Sequence, residues 1–135
     1  MLNQTEVKTV SAGTRKTILV DELNSTAFSC MVANTGIDAD DDGKKIVKAG
    51  TPLAGDLTAR GTAFVKATTT PGSQGELGTS DAVGILLHDV DVTSGTKNAQ
   101  VVVFGFIDLN KLDADVQELI DDETKVALRM IQFVK

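Results

Sequence analysis

Two uninterrupted apolar runs, AVGIL over 82–86 and VVVFGFI over 101–107, constrain this chain more than any other feature. Neither alternates apolar with polar residues, so each reads as an interior strand covered on both faces. Their valines and isoleucines suit a pleated sheet. Gly84 implies a close backbone approach or a bulge, and Gly105 a bend between Phe104 and Phe106. With little helix elsewhere, the cover must come from a curled sheet or from a neighbouring subunit.

At 135 residues the chain is one small domain. A domain of this size leaves much surface exposed unless it recruits partners. It has five Phe and neither Trp nor Tyr, so Val, Ile and Leu must build the core. The missing Trp and Tyr argue mildly against a sugar-stacking cleft or an antibody-like binding face. A net charge of -6 without a compensating basic run argues against nucleic-acid binding. Cys30 is the sole cysteine, which excludes an intrachain disulfide and a cysteine-built metal site. Its setting, FSCMV over 28–32, suggests a buried thiol, with an intermolecular disulfide or a reactive nucleophile as the alternative. The first residues lack the charged start and apolar run of a secretory signal, and no stretch is long enough to span a bilayer. Synthesis and folding in a cytoplasm are therefore expected.

Residues 1–16 read as a polar, Gly-interrupted arm, and 17–135 as a single β-rich domain. The arm is either a frayed terminus or a segment that orders on a partner by adding an edge strand. Strands are expected at 17–20, 28–32, 46–49, 62–67, 82–87 and 101–107. GTPLAG over 50–55 reads as a tight connection, and 68–78 as an exposed loop. Leu112, Val116, Leu119 and Ile120 share one side of a brief helical turn. A second helix is expected over 121–130, with an acid or Thr satisfying the free N–H groups at its start. IQFV over 131–134 should return to the sheet edge.

Chemistry-bearing residues are sparse. Asp38, Asp40 and Asp42 precede Gly43 with the spacing of a calcium loop, but Ala49 stands where the closing Glu belongs. A solvated Asp-rich turn is the better reading. His88 is the only histidine, and its neighbour Asp89 should point to the opposite face of a strand. It reads as a strand-end surface residue. Glu118, Asp121, Asp122 and Glu123 lie at helix junctions, where capping explains them better than a hydrolytic pair. No phosphate-binding glycine loop is present. The expectation is a protein that is not an enzyme, with no catalytic residues, cofactor or metal.

The order AVGIL (82–86), VVVFGFI (101–107), DETK (122–125) and IQFV (131–134), preceded by IVKAGTPL (46–53), resembles the head decoration proteins of tailed bacteriophages, the lambda type included. The resemblance covers about half the chain, and the order of the motifs carries it more than any single one. It implies a compact, mostly β, decoration-protein-like domain with one or two short helices and a flexible N-terminal arm. Such proteins form homotrimers on the outer surface of the expanded capsid, at local threefold positions. There they clamp neighbouring major capsid proteins, and the resemblance gives residues 1–16 much of that contact. Neither nucleic acid nor membrane is an expected partner. A head-fibre or base adaptor, or a host-surface recognition module using the Thr-rich loops, are the competing readings.

Overall fold

The structure, a computed structural model, describes residues 17–135. The arm read over 1–16 lies outside the described residues. The fold is mostly β with two short helices, as the sequence leads one to expect.

Its axis is β9 (Lys97–Asp108), twelve residues and so about 40 Å long at ~3.3 Å per residue. That length lets each edge take two partners in tandem. Along one edge runs β1 (Thr26–Val32), antiparallel, and beyond it the chain around Leu19, which bridges to Ile107. On the other edge sits β7 (Ala82–Leu86), antiparallel, and beyond it β10 (Ile131–Val134), parallel. The alternation of β9 makes this possible. The Gly105 amide donates to the Met130 carbonyl on one side, while the Phe106 carbonyl accepts from the Val20 amide on the other. The main sheet continues from β7 to β3 (Pro52–Ala54) and β4 (Val65–Lys66). Two small ribbons complete the strands: β2 (Ile46–Val47) with β8 (Val90–Asp91), and β5 (Thr69–Thr70) with β6 (Thr79–Ser80).

A parallel return from β9 to β10 needs a crossover of a dozen or more residues. Residues 109–130 supply it, carrying a 3-10 turn, α1 (Ala114–Gln117) and α2 (Asp122–Ala127). These lay Leu112, Val116, Ile120 and Leu128 over Ile85, Val102 and Ile107 to form one core. On the opposite face Val101, Leu86, Leu53 and Val32 pack with Phe64 and Val92 into a second core, covered by loops and short ribbons. Adjacent residues of β9, Val101 and Val102, thus feed different cores, which explains an apolar run without alternation.

Several expected elements differ. The 17–20 strand reduces to one bridge at Leu19, because only the last residues of β9 are left there to pair with. The expected connection at 50–55 holds β3, buried throughout and paired on both sides. The 62–67 strand shrinks to β4 plus a bridge at Phe64. The expected loop at 68–78 is the tip of the β5–β6 hairpin.

Gly84 meets both expectations placed on it. A Cβ there would lie 2.3 Å from a methyl of Val101 and 2.7 Å from the Val102 carbonyl oxygen. Beside it the β3–β7 register shifts, leaving Val83 without a partner on β3. Gly84→Ala should therefore cost about 1–3 kcal/mol in urea unfolding by overpacking. Gly61→Ala, where a Cβ meets open space, should stay within about 0.5 kcal/mol of the parent. Equal effects would contradict the close approach.

Candidate interaction surface

The second core does not close. On β9 the register against β1 runs Val102 to Ala27 and then Phe104 to Thr26, so Val103 is an extra, bulged residue. A bulge inverts the alternation beyond it. Gly105 and Ile107 turn to the helix-covered face, while Phe104 and Phe106 turn to the other and remain 40% and 44% exposed. Gly105 takes a φ of +142°, a left-handed value that suits glycine and sits between the two rings. Phe28, which faces Val101 across the ladder, is also 40% exposed.

The Phe28 and Phe104 rings line an open groove of about 430 Å³. Its walls include both bulged valines, Val83 and Val103, together with Leu57. Residues 127–130, at the end of the crossover, close its far side and leave Met130 63% exposed. The groove is thus the uncovered continuation of the second core. Two arginines mark its rim. Arg60 stacks on the Phe28 ring at 5.2 Å and donates to the Ser29 carbonyl at 2.9 Å, and exposed Arg129 lies within the lining.

Magnitudes favour apolar burial over surface ion pairs as the source of association energy here. Covering one Phe-sized side chain is worth about 1.5–3 kcal/mol. An exposed ion pair such as Lys48 with Asp113 (3.3 Å) and Asp115 (3.1 Å) is worth only about 0–1 kcal/mol. Apolar side chains gathered in this way make the groove a candidate interaction surface.

The residues singled out in the sequence take other places. Cys30 and His88 do line one cleft, of about 520 Å³, with Asp89 beside them. Cys30 is buried, however, and burial pushes its thiol up despite the opposing pull of Arg60. A protonated, buried thiol is a poor nucleophile. The Asp89 carboxylate accepts from the Ala49 amide at 2.7 Å and so fixes the connection before β3. In the Asp-rich turn, Asp40 accepts from the Asp42 and Lys44 amides, both at 2.9 Å. Among the described residues no group of three or more His, Cys, Asp or Glu side chains is placed to hold a metal ion. The groove itself was missed. Its visible trace in the sequence is Phe104 beside Gly105, in a run that reads as interior.

No protein-family model matches the chain, and no curated protein matches it in sequence.

Of the four acids at the helix junctions, Asp121 has the clearest task. It caps α2 by accepting from the Thr124 amide at 2.8 Å, and accepts from the Thr69 hydroxyl at 2.9 Å, which ties the β5–β6 hairpin to the helix. Burial pulls its carboxyl upward, but the Thr124 and Thr69 hydrogen bonds outweigh this and hold it below its ordinary value. Its stabilising contribution is therefore complete above the unfolded pKa of about 3.9 and is lost as pH falls through the lower folded value. Asp121→Ala should cost about 1 kcal/mol at pH 7, and in denaturant titrations this gap should narrow below about pH 4. A gap constant from pH 7 to pH 2 would contradict the ionised cap.

Proposed function

We propose that this protein is a head decoration protein of a tailed bacteriophage, binding the outside of the expanded capsid as a homotrimer and cementing neighbouring major capsid proteins. The observation that carries the reading is the unclosed second core: a small, mostly β domain keeps phenylalanine rings in a solvent-open groove. A β-domain that displays uncovered core is suited to assembly rather than to turnover. The order of the motifs along β7, β9, α2 and β10 adds the family resemblance.

In this reading the work is adhesion, without catalysis, cofactor or metal. Each trimer presents three copies of one shell-binding surface, so modest contacts reinforce one another through effective concentration. Bridging several capsid subunits favours the assembled lattice over separated subunits and raises its apparent stability by linkage. Residues 1–16 carry much of the shell contact. Neither nucleic acid nor membrane takes part.

The test is sedimentation of the purified full chain with expanded shells and with unexpanded procapsids of its own virus. The chain should pellet with expanded shells in clear preference to procapsids. Equal pelleting would remove the selectivity for the mature lattice, and pelleting with neither would remove the capsid role.

A further inference from the structure

The chain carries both an apolar groove and, next to Thr26 on its lining, a projection suited to fill the groove of another copy. Leu23 tops a 3-10 turn (Glu22–Asn24) and is 94% exposed, the most exposed of the large apolar side chains described. Local hydrogen bonds shape the turn. Asp21 accepts from the Leu23 amide at 3.0 Å and from the Asn24 side-chain amide at 2.5 Å, and the Ser25 hydroxyl donates to the Glu22 carbonyl at 2.8 Å. Both ends are tied to β9, through Val20 to Phe106 and through Thr26 to Phe104. Held in this way, the turn presents Leu23 to solvent.

The charges match across the two features. The projection bears Asp21 and Glu22, while the groove bears Arg129 in its lining and Arg60 over Phe28. This pairing matters because the body of the protein repels its own copies. Residues 1–16 contain Lys8, Arg15 and Lys16 against Glu6, a balance of two positive charges; of the total of -6, residues 17–135 therefore carry -8. A face joining two copies must set opposite charges together locally to overcome that repulsion.

We propose that the Leu23 turn of one copy seats in the groove between Phe28, Phe104 and Met130 of a second copy, with Glu22 facing Arg129. The contact is heterologous, projection to groove, and such contacts close into a ring when the rotation between copies permits. The inference rests on the homotrimer of the reading above and assigns the surface that holds it.

The measurement is molar mass by size-exclusion chromatography with light scattering, with circular dichroism to check the fold. The parent chain should run as an oligomer. Leu23→Asp, at a position that contributes almost nothing to the core, should keep the fold and reduce the mass to the 14.2 kDa of one chain. Glu22→Arg and Arg129→Glu should each weaken assembly at least tenfold, and the double variant should recover most of that loss. An oligomeric parent whose mass survives Leu23→Asp would overturn this interface and leave the decoration reading standing. Charge reversals without mutual rescue would overturn the Glu22–Arg129 pairing. A monomeric parent would overturn both the interface and the trimer. If the interface behaves as expected but the chain pellets with no shell, the decoration reading fails and this inference holds.

Discussion

The ladder between β9 and β1 cannot keep its register past Val102, because Val103 has no partner on β1 and Phe104 faces Thr26 instead. That single extra residue decides which side chains the end of the strand buries. Without it, Phe104 and Phe106 would follow Val102 into the core beneath the helices. With it, Gly105 and Ile107 take those places, and the two rings emerge on the side where β1 already presents Phe28. A second register shift at Val83 adds another apolar side chain to the same surface. Bulges are common where a strand must re-aim its side chains, and here two of them converge on one groove.

The strong local signals were readable in the sequence. Both long apolar runs are central strands, Gly84 is a point of close approach, and Asp121 caps the second helix. The signals that failed are short or non-local. Pro52, Leu53 and Ala54 lie between glycines and span too few residues to show a period, so a buried strand resembled a turn. Proline is tolerated at the first position of such a strand, and there its carbonyl accepts from the Ala67 amide. The expected strand at 17–20 had the right composition but little free edge to pair with. The groove was invisible because a bulge depends on which residue of a distant strand lies opposite, and nothing within 101–107 records that. The expected cover, a curled sheet or a neighbour, left out what the chain uses: the 109–130 crossover on one face and loops with short ribbons on the other. The chain's own core serves Val101 and Val102, while Phe104 and Phe106 are left partly open.

The two faces of the sheet therefore have different tasks. The crossover needed for a parallel β10 brings both helices to one side and completes that core within the chain. The other side is roofed by loops and two-residue ribbons that stop short of the end of β9. In the proposed interface, burial supplies the gain in free energy for covering this opening, and the arginines at its rim set orientation more than affinity. In the proposed assembly this division suits an acidic domain: repulsion discourages random contact, and the groove offers a locally complementary surface.

In the proposed assembly a second copy completes the open core at the end of β9. Hydrogen–deuterium exchange across a dilution series checks this by comparing segments 20–28 and 101–107 with the ribbon of β2 and β8. Protection of the first two segments should rise with protein concentration, while that of the ribbon stays constant. Protection of 20–28 and 101–107 that is unchanged across the range in which the molar mass changes would show that copies meet elsewhere and that this core stays open.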